Sequence, residues 1–125
     1  KIKPGKNYQV FEVNSYLRII EPEISVIGRK VVAKFKLEQV TSNEVYRISL
    51  FAHSHIDVSN KLNIVNRTEE LNRSITDGEA FELSINLDDY TSTLVPGKSY
   101  YFRIGAQSHG SETKYNYSAS VQLDI

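Results

Sequence analysis

The sequence predicts an all-β fold in which two antiparallel sheets pack into a β-sandwich. Apolar and polar residues alternate in several segments, and a period of two is typical of strands that bury one face. Turn-rich stretches separate these segments. A Pro96-Gly97 turn also leads directly into an alternating segment that begins at Tyr100. Strands of this kind, joined by turns, are typical of a sandwich.

Six segments carry the strand pattern, and the phase of each predicts which side chains face the core. The segments are residues 17–27, 30–37, 45–52, 79–88, 100–107 and 115–125. In the last five, the residues expected to point inward are Val31, Ala33, Phe35 and Leu37; Tyr46, Ile48, Leu50 and Ala52; Phe81, Leu83, Ile85 and Leu87; Tyr100, Phe102, Ile104 and Ala106; and Tyr117, Ala119, Val121, Leu123 and Ile125. A chain of 125 residues can bury such a core as one domain.

The first strand and the long segment after the third strand need separate treatment. Pro22 interrupts the first strand, which predicts an edge position because proline cannot donate to a ladder. Residues 57–77 are predicted to contain a short strand near 62–65. Thr68 is expected to cap a single helical turn over 68–71. A connection of this length is typical of functional loops.

The domain boundary is predicted after residue 16, so that residues 17–125 form the sandwich. Residues 1–16 are an N-terminal extension or the end of a preceding module. Pro4-Gly5 followed by Tyr8 echoes Pro96-Gly97 followed by Tyr100, as the second interpretation would require. The alternative is chance, since such turns are common and no further repeat supports an array.

The spacing Leu94-x-Pro96-Gly97-x-x-Tyr100 resembles the turn between strands E and F of fibronectin type III domains. The resemblance implies a sandwich of about seven strands in which the Tyr100 hydroxyl ties the crossing loop back to the strand. That family usually has a tryptophan in strand B, where this chain has Phe35. An immunoglobulin-like sandwich therefore stays open. There is no Arg-Gly-Asp sequence, so the resemblance implies no integrin-binding loop.

Composition argues against several functional classes. Fifteen basic and fifteen acidic residues give a net charge of zero, whereas nucleic-acid binding usually needs a basic excess. The absence of cysteine excludes disulfides, thiolate zinc sites and a thiol nucleophile. No apolar run is long enough for membrane insertion. No cofactor is predicted, and no Gly-x-Ser-x-Gly motif indicates an enzyme.

One pattern resembles a metal site. His53, His55 and Asp57 alternate, so in a continuous strand they would share one face and could converge on a cation, with His109 approaching from a loop. A zinc site needs three or four such ligands. The competing interpretation is that they are exposed polar residues at the end of a strand.

The candidate binding surface is the solvent face of the sheet built from strands C, F and G. It is expected to expose Arg47, Phe51, Tyr101, Arg103 and Gln107. Tyrosine and arginine are enriched in binding surfaces because they combine contact area with a polar group. The alternative is that such residues pair across strands and only stabilise the sheet.

These observations predict a non-catalytic binding or spacer module of a larger surface-exposed, secreted or phage-tail protein. Its location would be extracellular, at a cell surface or on a virion. Its partners would be a protein or carbohydrate ligand used in attachment, together with neighbouring domains of the chain. A dedicated carbohydrate-binding module and a structural subunit assembling through its strands or sheets remain alternatives.

Overall fold

The computed structural model describes residues 17–39, 44–108 and 115–125. The predicted N-terminal extension at 1–16 and His109 lie outside these ranges. The described residues form eight strands, which are β1 Leu17–Ile27, β2 Lys30–Gln39, β3 Val45–His53, β4 Val65–Arg73, β5 Glu79–Asn86, β6 Ser99–Ser108, β7 Tyr115–Tyr117 and β8 Val121–Asp124. A single 3₁₀ turn, Leu87–Asp89, follows β5.

The strands form two antiparallel sheets that enclose one core, as predicted. The first sheet has the order β1-β2-β5. The second has the order β4-β3-β6, with β7 and β8 both pairing with the far side of β6. Apolar side chains from both sheets form a single buried cluster. The chain is therefore an all-β sandwich.

The predicted phase is confirmed for the second strand, and the edge position is confirmed for the first. Val31, Ala33, Phe35 and Leu37 are each at most 2% exposed. Strand β1 pairs only with β2 among the described strands, and its register shifts around Pro22. The irregularity separates the two halves of β1 at the point where proline offers no N–H to the ladder.

The helical turn predicted at 68–71 is wrong, because β4 runs through these residues as an extended strand. The short strand predicted near 62–65 is wrong as well, except that Val65 begins β4. Thr68 lies opposite Ser49 of β3, and their hydroxyls are 3.0 Å apart. Hydrogen bonding with the edge of β3 stabilises an extended strand here in place of the helical turn that the capping residue predicts. Tertiary context readily overrides local helix propensity.

Tyr46 does not occupy the inward position predicted for it. The pairing of β3 with both neighbours shifts register between Val45 and Arg47. Val45 is completely buried, whereas Tyr46 is only half-buried and its ring lies 4.7 Å from the Arg47 guanidinium carbon. The bulge thus places Val45 rather than Tyr46 in the core, which is the reverse of what strict alternation predicts.

The last predicted strand is split in two, and the inward positions predicted for Tyr117 and Ala119 are wrong. Tyr117 pairs with Gly105 and Val121 pairs with Phe102. Three steps along β6 therefore match four steps along the last segment. The extra residue moves Tyr117 to the outer face, while Leu123 and Ile125 still pack against the core.

Tyr100 ties the crossing loop to β6, as the resemblance to fibronectin type III domains implied. Its hydroxyl accepts a hydrogen bond of 2.9 Å from the Val95 N–H. The Tyr100 ring is 6% exposed, and Leu94 is fully buried beside the turn. The bond satisfies a main-chain donor in a loop that has no strand partner.

An ion pair links the two sheets where β4 ends and β5 begins. Arg73 donates from both terminal nitrogens to the Glu79 carboxylate, at 2.6 and 3.2 Å. The Thr76 N–H donates to the same carboxylate at 3.1 Å. These hydrogen bonds, that of Arg73 first, hold the pKa of Glu79 below its ordinary value of 4.5. The Glu79 bond likewise raises the pKa of Arg73.

We expect Tyr100→Phe to lower the free energy of unfolding by about 1–2 kcal/mol, because the Val95 N–H loses its acceptor. Urea denaturation followed by circular dichroism measures the change. Tyr101→Phe is the matched control and should change stability by less than about 0.5 kcal/mol, since that ring is only half-buried on the outer face and its hydroxyl bonds no described residue. Equal effects of the two substitutions would contradict the assignment.

Stability is expected to fall in acid more steeply in the wild type than in Glu79→Gln. Because the folded pKa of Glu79 is lowered, its contribution is complete above the unfolded pKa and is lost as the pH falls through the folded pKa. Urea denaturation between pH 7 and pH 3 measures the slope. Arg73→Gln should flatten the slope less than Glu79→Gln does, because the Thr76 N–H still bonds the Glu79 carboxylate, and the double variant should behave as Glu79→Gln alone. A slope unchanged in both single variants would refute the coupling.

Candidate functional site

The outer face of the five-stranded sheet brings together the residues predicted to form a binding surface. Strand β3 contributes Arg47 and Phe51, and β6 contributes Arg103 and Gln107. Phe51 lies opposite Arg103, and Arg47 lies opposite Gln107. Tyr101 continues the same face of β6, because residues two apart in a strand share a side.

The exposure predicted for Phe51 and Gln107 is wrong, because each is only 2% exposed. The Phe51 ring lies beneath two tyrosines of β7, with centroids 5.5 Å from Tyr115 and 6.2 Å from Tyr117. The Gln107 side-chain oxygen accepts a hydrogen bond of 2.9 Å from Nε of Arg47. Both residues therefore support the surface from below, while Arg47, Tyr101 and Arg103 remain half-buried.

Gly105 makes this second layer possible. A Cβ at this position would lie 2.8 Å from Phe51, 3.0 Å from Tyr115 and 3.2 Å from Tyr117. Any side chain would therefore collide with the three rings. Gly105 is needed here for close approach rather than for an unusual backbone conformation, since its neighbours fill the space that a side chain would take.

Two arginines and two tyrosines form a row above this layer, which we call the arginine–tyrosine ladder (Arg47, Tyr115, Tyr117 and Arg103). The two tyrosine rings are stacked at 5.7 Å and 19°. The guanidinium carbon of Arg47 is 5.7 Å from the Tyr115 centroid, and that of Arg103 is 4.7 Å from the Tyr117 centroid. Both distances suit cation–π interactions.

Tyr115 and Tyr117 belong to the site although neither was predicted to lie there. Strand alternation continued back from Leu123 predicts that Tyr117 faces inward. The Tyr-x-Tyr spacing carries a signal that could have found them, because residues two apart in a strand share one face. The extra residue between β7 and β8 concealed which face that was.

Arg103 and Tyr117 also fasten the loop that follows β3. Arg103 donates to the main-chain oxygens of Ser118 at 2.7 Å and Val58 at 3.3 Å. The Tyr117 hydroxyl accepts a hydrogen bond of 3.1 Å from the Asn60 N–H. Within the loop, the Asn63 side chain donates to main-chain oxygens, including that of Ser59. A loop with internal hydrogen bonds, which also exposes Leu62 and Ile64, thus borders one end of the ladder.

The structure does not place His53, His55 and Asp57 on one continuous strand face, as the metal-site hypothesis requires. Strand β3 ends at His53, so the other two residues lie in a turn and do not continue its face. Nδ1 of His53 accepts the His55 N–H, and Nδ1 of His55 accepts the Asp57 N–H, at 3.0 and 3.1 Å. The part of the chain that the structure describes contains no group of three His, Asp or Glu side chains able to hold a metal ion.

Comparison with known proteins gives a family and several structural likenesses. Residues 17–122 match the model of a family described as a domain of unknown function (DUF3823_C). No curated protein matches the chain. A solved protein from Bacteroides uniformis that is proposed to bind carbohydrate is 28% identical, with a TM-score of 0.85. The match covers 96% of this chain and 61% of that one, so this chain spans less than two thirds of that protein.

Two further solved structures share the fold at lower identity. A DUF3823 family protein from Parabacteroides merdae is 21% identical with a TM-score of 0.72, over 87% of this chain and 52% of that one. Catalytically inactive OgpA from Akkermansia muciniphila, in complex with an O-glycopeptide substrate, is 10% identical with a TM-score of 0.62. That match covers 94% of this chain and 33% of OgpA. Among the described residues, no helix has the length and apolar character needed to cross a membrane.

Gly105→Ala is expected to destabilise the protein by about 1–3 kcal/mol, because the new methyl group must displace the rings of Phe51, Tyr115 and Tyr117. Urea denaturation measures the loss, and near-ultraviolet circular dichroism reports the disturbed tyrosines. Phe51→Leu removes the nearest of the clashing atoms. The double variant should therefore be less destabilised than the sum of the two single variants. Strict additivity would show that Gly105 does not set the packing of the outer layer.

Proposed function

The chain belongs to the DUF3823_C family, and from this premise we propose that it is a non-catalytic carbohydrate-binding module. Its binding surface is Tyr101 together with the arginine–tyrosine ladder and the loop over residues 58–64. The proposal includes a location outside the cell or at its surface, where the module works beside neighbouring domains of a longer protein. The 28% identical protein from Bacteroides uniformis, itself proposed to bind carbohydrate, supports this function.

The observation that carries the proposal is the half-buried Tyr101 ring on the outer face beside Arg103, whose position is fixed. No aromatic ring or guanidinium among the described residues stacks on Tyr101, and we take the exposed part of its ring as the contact for the apolar side of a sugar. Arg103 follows it by two residues on the same face of β6 and is fixed by two main-chain oxygens. An aromatic surface with a few fixed polar groups is typical of small-molecule sites.

The polar groups around Tyr101 are suited to sugar hydroxyls. Guanidinium N–H groups donate, and the amides of the loop both donate and accept. The tyrosine hydroxyl of Tyr117 is held by Asn60, so that side chain loses little further freedom when a ligand binds. Pre-organisation of this kind favours affinity from a shallow surface.

A non-catalytic role is supported by where the perturbed ionisable groups lie. Active sites are commonly marked by shifted pKa values in a cleft. Among the described residues, the resolved pKa shifts belong to Arg73 and Glu79, which form the ion pair between the sheets. That pair has a structural explanation and lies outside the proposed binding surface.

Assembly through strand addition fits the edges less well. Strand β1 is interrupted at Pro22, and β4 carries charged residues along its length, with Asn72 in the left-handed region at φ 52°. Charges, proline and bulges are devices that protect sheet edges from pairing. These features favour a module that binds through a face.

The test is a screen of the purified domain against an array of glycans and cell-wall polysaccharides, with affinities of hits measured by calorimetry. Tyr101→Ala should weaken binding at least about 10-fold, or about 1.4 kcal/mol, because the stacking surface is lost. Tyr90→Ala is the matched control, since Tyr90 is an exposed tyrosine in the connection that precedes β6.

Circular dichroism must show both variants folded for the comparison to count. A hit that Tyr90→Ala retains and Tyr101→Ala loses would support the proposed surface. The complete absence of hits, or a hit that neither variant affects, would overturn the proposal that this face binds carbohydrate.

A further inference from the structure

Arg47 and Arg103 on the outer face have no carboxylate partner among the described residues, whereas three other arginines do. Arg18, Arg29 and Arg73 each pair with a carboxylate at 2.6–2.9 Å. No described carboxylate oxygen lies within 4.0 Å of a side-chain nitrogen of Arg47 or Arg103. Both arginines nevertheless contact tyrosine rings in fixed positions.

Arg103 is the more informative of the two, because all its described partners are neutral. Its Nε and one terminal nitrogen donate to the main-chain oxygens of Ser118 and Val58, and its charged plane lies over Tyr117. These contacts use two of the five N–H donors of a guanidinium. The second terminal nitrogen bonds no described residue, so within the part of the chain that the structure describes Arg103 has N–H donors in reserve and no counter-ion.

The acidic groups nearest in sequence or register are directed elsewhere. Asp57, next to Val58, lies 3.7 Å from Nδ1 of His55. Glu70 lies opposite Arg47 in β4, and its carboxylate contacts the Tyr46 hydroxyl at 3.5 Å. The described part of the outer face therefore combines an aromatic surface with an uncompensated and immobilised cation.

We propose that the carbohydrate ligand of this surface is acidic, with a carboxylate or sulfate group bound by Arg103 while the sugar ring stacks on Tyr101. The inference rests on the proposed function and adds the chemical class of its ligand. A guanidinium binds such anions through paired N–H donors, and these charge-assisted bonds are about twice as strong as neutral ones. Because Arg103 is already held in place, little side-chain entropy is lost on binding.

The experiment compares two forms of one polysaccharide, polygalacturonic acid and its fully methyl-esterified derivative, which differ in charge. Affinity electrophoresis in native gels measures retardation by each polymer, at low salt and with 0.3 M NaCl. We expect the acid to bind at least 10-fold more tightly than the ester. Salt should weaken binding of the acid, because exposed charges are screened. This comparison needs no variant and so does not depend on the folding of a substituted protein.

Arg103→Gln should abolish the preference for the acid. Arg18→Gln is its matched control, because it removes the same charge from β1 in the other sheet, and it should leave the preference intact. Chondroitin and chondroitin sulfate form a second pair that separates the two anion sources. Tighter binding of the sulfated polymer identifies sulfate, and equal binding of both identifies the carboxylate.

The outcomes separate this inference from the proposed function. Equal binding of acid and ester together with equal binding of chondroitin and chondroitin sulfate, or Tyr101-dependent binding confined to neutral glycans, overturns the acidic ligand and leaves carbohydrate binding standing. An acid preference that Arg103→Gln retains overturns the role of Arg103. The absence of binding to every acidic and neutral glycan overturns both proposals.

Discussion

The extra residue between β7 and β8 is the constraint on which both faces of the second sheet depend. At this step the Ser118 hydroxyl accepts the Ile104 N–H at 3.1 Å, and the Ser118 N–H donates to the Ile104 carbonyl oxygen at 2.9 Å. The strand can therefore change phase without leaving these β6 groups unpaired. On the inner face of the sheet Leu123 packs against the core, and on the outer face Tyr117 packs beside Phe51.

The offset also explains why the sandwich has a second, smaller apolar layer outside its main core. Once β7 presents its tyrosines outward, Phe51 can be buried on a face that strand alternation assigns to solvent. The layer closes only because Gly105 lacks a side chain. Arg103 then rests on Tyr117 and reaches the loop after β3. The extra residue between β7 and β8 thus also determines where the Arg103 guanidinium lies.

Strand alternation predicted most of the fold because the main core dominates the sequence pattern. The segment from Val31 to Leu37 reveals its buried face directly, and the turn before Tyr100 reveals the tie between loop and strand. Tyr46 and Tyr117 were misplaced for a common reason: a bulge inserts one residue and reverses the phase. No local propensity marks such a bulge, since it is fixed by pairing with a distant strand.

Strand alternation predicted which face carries the candidate surface, but not which of its residues are buried. Alternation placed Arg47 and Arg103 on one face, but burial of Phe51 and Gln107 depends on β7, which is distant in sequence from β3. The β4 strand escaped prediction because its residues are mostly polar, and only pairing with β3 makes them a strand. Contacts with elements that are distant in sequence cannot be inferred from the residues adjacent in the chain.

A net charge of zero conceals an uneven distribution of charge over the described surface. The ion pairs of Arg18, Arg29 and Lys36 all involve strands of the three-stranded sheet or the turn after β5, so their fields largely cancel nearby. Arg103 has no such partner in the described ranges and is held instead by a ring and two carbonyl oxygens. These neutral contacts fix the position of the cation without neutralising its charge. Recognition of anions depends on this local field, and net charge alone does not describe it.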